Sequence, residues 1–282
     1  MTTLTSLMVR LAAGAPNDAL LALTADLAAR LDLAKVIGIS ARQPIQIYGS
    51  PDMHVPLEMV TWDREQIDRE LKSVEVEFRS ALEGKVASIE WRSTVVTYGS
   101  IADYVAEQVR AADLLVTGAH EGGALFDRSR YVNVADLVLR TGRPVLVAAA
   151  SEDKLDLRTV VVGWKDTREA RRAVQDSLPL LQRADRVVVV EVAAKDDLAD
   201  ARTRTQDVAS WLTGHRVAAS ARAVAATTGE GAQLRSIASD LELDAGLVVG
   251  GAYGHTRLRE WVLGGVTRDF LLLSTRCSLV SH

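Results

Sequence analysis

The chain repeats itself. Leu114-Leu-Val-Thr-Gly118-Ala119 and Leu247-Val-Val-Gly-Gly251-Ala252 align at an offset of 133, and the alignment runs without a gap through Val147 and Val280. Over those 34 positions 10 are identical, among them Gly118/Gly251, Asp136/Asp269 and Arg143/Arg276. A second gapless register, offset 151, pairs Met8–Ser40 with Thr159–Glu191, mainly by pattern. The difference between the offsets gives the first copy 18 more residues in its middle. An internal repeat on this scale means that one fold has to be explained twice. The expected division is 1–150 and 151–282, with the polar stretch Ser151-Glu-Asp-Lys-Leu-Asp156 as the boundary.

Within each copy, apolar β-branched runs alternate with amphipathic stretches. In the second copy Thr159–Val162 reads as a buried strand, and Ala170, Ala173, Val174, Leu178 and Leu181 follow helical spacing. Arg186–Val192 is nearly all valine, as in a strand covered on both faces. Asp200–Leu212 reads as a helix closed by Gly214, Arg216–Val224 as a strand and Gln233–Leu241 as a helix. Ala245–Val249 reads as a strand, Thr267–Leu273 as a helix and Cys277–Val280 as a last strand. The first copy has strands near Leu7–Leu11, Lys35–Ser40, Ser88–Val96, Asp113–Thr117 and Pro144–Ala148. Its extra residues fall between Arg42 and Arg64, and a helix carrying Ile67, Leu71, Val74, Phe78 and Leu82 on one face follows. This alternation predicts an α/β fold, a parallel sheet with helices on both faces. Ligands of such sheets bind beyond the carboxyl ends of the strands, at the switch point of strand order.

The glycines of the second copy lie where that rule points. Gly250-Gly251-Ala252-Tyr253-Gly254 follows a strand, and Gly264-Gly265-Val266-Thr267 opens a helix. Glycines let a ligand approach the backbone, and the free N–H groups of a helix N-terminus favour phosphate. Tight turns alone explain the same glycines. Thr267 could donate to a ligand or cap its own helix.

The spacing Gly251-x2-Gly254-x9-Gly264 resembles the nucleotide-binding signature of the universal stress protein family, and so do the flanking Leu247-Val-Val-Gly-Gly and Val266-Thr-Arg268. The whole chain resembles a tandem member with two such domains. The resemblance implies two Rossmann-like, adenine nucleotide alpha hydrolase-like domains of five parallel strands, order 3-2-1-4-5. It implies an ATP, ADP or AMP site in the second, with Mg²⁺ on the phosphates. Carried over by position, the first-strand loop is Gly163-Trp164-Lys165-Asp166 and the end of the second strand is Val192. Lys165 stands where the family has Asp, and Asp166 follows it; Trp164 could stack on a base or pack. Gly265 stands where the family has Ser or Thr, so that hydroxyl is missing.

The first copy departs further. Glu121 replaces the second glycine, Tyr131-Val132-Asn133 replaces the glycine pair, and Ala12-Ala13-Gly14-Ala15 has no acid before Asp18. It is expected not to bind ATP in the same way and to pack against the second copy as an internal pseudo-dimer, with Val145–Val147 paired to Leu279–Val280. A homodimer is a further possibility.

Other chemistry is thin. There is no G-x-S-x-G elbow and no P-loop. No two of the five histidines (His54, His120, His215, His255, His282) have the i, i+4 spacing of a zinc pair. Single Cys277 excludes an internal disulfide. Arg168, Arg171 and Arg172 suit either a phosphate or a solvated helix face. Net charge of −4 gives no footprint for nucleic acid. No apolar run reaches the roughly 18 residues of a membrane span, and Met1–Ala15 lacks the charged start of a secretory signal, so a cytoplasmic protein is expected. A nucleotide-binding stress-response regulator with at most slow hydrolysis is the first reading. A nucleotide-free interaction scaffold and an ATP-hydrolysing or adenylating enzyme are the alternatives.

Overall fold

The computed structural model describes residues 4–44, 56–119, 132–227, 230–240, 242–252 and 276–282. The first half is β1 (Ser6–Arg10), α1 (Asp18–Leu31), β2 (Lys35–Arg42), α2 (Leu57–Leu82), β3 (Ser88–Val95), α3 (Ile101–Gln108), β4 (Leu114–Gly118), α4 (Val134–Thr141) and β5 (Val145–Ala148). The second is β6 (Thr159–Gly163), α5 (Arg168–Leu181), β7 (Arg186–Ala193), α6 (Leu198–Gly214), β8 (Ala219–Ala225), α7 (Glu230–Ala238), β9 (Leu247–Gly251) and β10 (Cys277–Ser281). The helix expected at Thr267–Leu273 lies outside the described residues.

All ten strands form one sheet of order β3-β2-β1-β4-β5-β10-β9-β6-β7-β8. Read inward from either outer edge, each half runs third, second, first, fourth, fifth. Every pairing is parallel except β5 with β10, where Val147, Leu146 and Val145 stand opposite Ser278, Leu279 and Val280. The pairing expected of Val145–Val147 with Leu279–Val280 is therefore present. It leaves only β3 and β8 as sheet edges, so neither apolar inner strand is exposed.

The strands alternate their side chains between two helical layers. On one face a single apolar cluster runs through both halves: Leu7 and Val9 of β1, Leu23 of α1, Phe78 of α2, Val160 of β6, Val174 of α5 and Leu279 of β10. On the other face the described residues form two separate clusters. One gathers Met8, Ile39, Val105, Leu137, Val145 and Val280 under α3 and α4, and the other gathers Val161, Val190, Leu234 and Val248 under α7. The parallel sheet is thus covered on both faces, which explains why its strands read as unbroken apolar runs.

The structure corrects the register of the repeat. Leu7 and Val160 stand opposite Leu114 and Leu247 respectively, so β1 and β6 correspond at 153 rather than 151. Val36 and Val187, opposite the same Leu7 and Val160, keep the offset of 151. The two-residue slip falls in the loop after the first strand, which is longer in the first half. An even slip preserves which face each side chain takes, so the pattern alone could not reveal it. A smaller correction concerns α6. Gly214 is its last residue, but the left-handed residue that turns the chain is Arg216, at φ 64°.

Candidate functional site

In the second half the switch point of strand order lies between β6 and β9, because the chain leaves β6 for β7 on one side and β9 returns on the other. Gly163 and Gly250 are direct partners across this junction, both on the α7 face. The two strands at the switch point therefore end without a side chain on that face. Among the described residues, a Cβ on Gly250 would meet nothing within 4 Å. A Cβ on Gly163 would meet Leu234 Cδ2 at 2.5 Å, so the glycine lets α7 lie over the end of β6.

Gly251 has a different reason. It points to the α5 face, where a Cβ would meet Ala170 N at 2.4 Å and the Glu169 carbonyl carbon at 2.5 Å. Gly251 is demanded by the first turn of α5 lying against β9. None of Gly163, Gly250 and Gly251 has a positive φ, so close approach, not a left-handed turn, is what selects glycine here.

The loop after β6 is short and well tied. Trp164 N donates to Val190 O at 2.8 Å, Thr167 N to Lys165 O at 2.6 Å, and Thr167 Oγ1 caps α5 by accepting from Ala170 N at 3.2 Å. Trp164 is 9% exposed and belongs to the core that spans both halves. Its ring is a core side chain, not an open face awaiting a base, and its indole Nε1 has no hydrogen-bond partner. Lys165 and Asp166 are exposed in the loop after β6, with Asp166 ion-paired to Arg171. Arg168 pairs with Glu169, and Arg172 donates to Gly142 O at 2.9 Å. The arginine cluster is thus engaged on the solvent side of α5. Val192 is half-buried near the end of β7, against the α7 cluster.

Sequence reasoning missed one group near this edge. Glu191, 5% exposed at the end of β7, accepts from Arg204 of α6 at 2.6 Å, and Arg204 also holds Asp197 at 2.7 Å. The hydrogen bonds Arg204 donates to Glu191 and then to Asp197 push its guanidinium pKa upward, and Arg204 holds the Asp197 carboxyl below its ordinary value. The signal was the lone acid in an otherwise apolar run.

The first half is built differently at the same place. Across β1 and β4 the partners are Arg10 and Thr117, which take the positions of Gly163 and Gly250. Arg10 is 2% exposed and Thr117 fully buried. The loop after β1 is closed on itself by Asn17, whose Oδ1 accepts from Ala12 N at 3.0 Å and whose Nδ2 donates to Ala12 O and Ala15 O. That loop offers a ligand no free Ala12 N–H. Asn133 caps α4 by accepting from Ala135 N, and Val132 is buried in the core. Among the described residues no group of three or more His, Cys, Asp or Glu is arranged to hold a metal.

No model of a known protein family and no curated protein matches the chain. Solved structures do. A universal stress protein from Archaeoglobus fulgidus DSM 4304 superposes over 99% of both chains with a TM-score of 0.70 at 11% identity. The chain has the universal stress protein fold. A functionally unknown protein from Pseudomonas aeruginosa PAO1 covers 99% of this chain and 92% of its own, with a TM-score of 0.62 at 14% identity. At these identities the likeness is one of fold. Both halves of the ten-stranded sheet fall within the match, as the repeat requires. Within this universal stress protein fold, Gly163, Trp164, Lys165, Asp166, Val192, Gly250 and Gly251 are placed around the second switch point. Gly254, Gly264, Gly265, Val266 and Thr267 lie outside the described residues, as do His120, Glu121, Tyr131 and His255. No helix among the described residues is long and apolar enough to cross a membrane.

Proposed function

We propose that the chain is a tandem universal stress protein of two domains, 1–150 and 151–282, that acts in the cytoplasm as a regulator of the stress response. The second domain binds an adenine nucleotide, ATP or its AMP and ADP relatives. The first does not bind ATP in the same way and is its partner in an internal pseudo-dimer. The observation that carries the reading is Gly250, whose α7-face position no described residue fills, paired with Gly163 at the switch point where an open α/β sheet takes its ligand.

The residues present fit a nucleotide. No described residue fills the position a Cβ would take on Gly250, which lets the group lie directly on the backbone. Lys165 and Asp166 stand exposed in the loop after β6, and Val192 is the last residue but one of the neighbouring strand. Gly254, Gly264, Gly265, Val266 and Thr267 complete the phosphate side through backbone N–H groups, with Thr267 as a hydroxyl donor. Gly265 supplies an N–H without the hydroxyl. Mg²⁺, where it takes part, arrives on the phosphates. No general base is assigned, and the role is binding with at most slow hydrolysis.

Calorimetric titration of ATP and AMP, with and without Mg²⁺, into wild type and Gly250→Val tests this. The Cβ that the variant adds meets no described residue within 4 Å. The expected result is binding by wild type and a loss of affinity of about tenfold or more in the variant. Equal affinities, or no binding by wild type, would overturn the proposal.

A further inference from the structure

The first half carries a polar pair where the second carries two glycines. Arg10 on β1 and Thr117 on β4 are direct partners across the first switch point, on the face shared by Met8 and Leu115. A guanidinium that is 2% exposed is rare in a core, because burying a charge is costly unless polar groups meet it. Beside it, Thr117 Oγ1 is fully buried and has no hydrogen-bond partner. A buried hydroxyl without a partner calls for an explanation, and a water or ion at the site is one of those that native proteins supply. Arg10 is already engaged in the folded chain, but five N–H donors in a planar fork let one guanidinium serve more than one acceptor.

We propose that the first half binds a small oxyanion, a carboxylate or a phosphate monoester, at its own switch point, held by the Arg10 guanidinium and the Thr117 hydroxyl. The chemistry is complementary. A planar fork matches two oxygens of such a group, and a hydroxyl donates to one of them. The place is where sheets of this kind take ligands. This site is independent of the nucleotide site, because Gly163 and Gly250 belong to the other half of the sheet.

The test is thermal unfolding of the full chain with added sodium phosphate or sodium acetate, at ionic strength matched with sodium chloride. Matching removes general screening from the comparison. Wild type and Gly250→Val should both gain about 2–4 °C with the preferred anion. A response to phosphate assigns the monoester class, and a response to acetate assigns the carboxylate class. Thr117→Val keeps the shape of the side chain and loses the hydroxyl, and it should lose the gain. Arg10→Met should lose it entirely. If Arg10→Met does not fold, Thr117→Val alone decides. Ser278→Ala, which removes another buried hydroxyl without a partner on the same face, should keep the full gain. No gain in wild type, or an unchanged gain in Thr117→Val, would overturn the proposal. Either result can be told from a failed nucleotide site, because Gly250→Val reports on that site alone.

Discussion

Leu146 stands opposite Leu279 across the antiparallel junction of β5 and β10, and the two leucines are equivalent positions of the repeat. A residue paired with its own counterpart is the local pattern of a two-fold axis through this strand pair. Val145 opposite Val280 and Val147 opposite Ser278 are related by the same axis. Leu146 is fully buried and Leu279 is 1% exposed, both in core. Leu146→Ala and Leu279→Ala should each cost about 2–5 kcal/mol in urea unfolding. Because the side chains are neighbours, the double variant should depart from the sum of the singles by about 0.5 kcal/mol or more. Strict additivity would argue against the shared axis.

Two adjacent glycines should separate structure from binding. Gly251→Ala drives a Cβ into the backbone of Glu169 and Ala170 and should destabilise the fold by about 1–3 kcal/mol. Gly250→Ala adds a Cβ that meets no described residue within 4 Å and should leave the unfolding midpoint nearly unchanged while weakening nucleotide binding. Paired denaturation and titration of the two variants check this. The reverse order of effects would contradict the assignment of the two faces.

Asp113 ties the start of β4 to the start of β1. Its Oδ2 accepts from Thr5 N at 2.9 Å, Thr5 Oγ1 at 3.0 Å, Ser6 N at 3.0 Å and Ser6 Oγ at 2.9 Å. Burial raises the carboxyl pKa, and these four bonds together lower it further, so the net shift is downward. A depressed folded value means stabilisation that is complete above the unfolded value near 4 and is lost as pH falls through the folded value. Asp113→Asn should therefore be less stable than wild type at neutral pH, by about 1–3 kcal/mol. The gap should close below about pH 4 in a series of melting curves.

Cys277 opens β10 at 1% exposure, and burial pushes its thiol up to about 11. The thiolate is the reactive form, so the native thiol should resist an aromatic disulfide reagent at pH 8 and react at once in denaturant. Rapid labelling of native protein would mean that the β5–β10 junction opens.

The strand and helix order was legible because buried parallel strands and amphipathic helices leave unlike periodicities. Arg186–Val192 could hardly be anything but a central strand. The reasons for individual glycines were not legible. Gly250 and Gly251 are neighbours in sequence, yet a Cβ on one would meet no described residue within 4 Å and on the other the backbone of a helix from elsewhere in the chain. Only the fold separates them. The slip of two residues after β1 hid a second relationship. At an offset of 151 Arg10 aligns with Val161, whereas the structure sets it against Gly163, the residue that matters at the switch point. Trp164 likewise read as an aromatic at a loop, but alternation along β6 carries its ring to the α5 face and into the core. Glu191 gave a signal, a single acid among valines, whose partner Arg204 no local pattern could name.

The most direct test of the central claim uses protein purified without added nucleotide, denatured and freed of the chain, with any released nucleotide identified by chromatography and mass. The account predicts one adenine nucleotide per chain, absent from Gly250→Val. Release of none, together with no thermal shift in millimolar Mg·ATP, would contradict it.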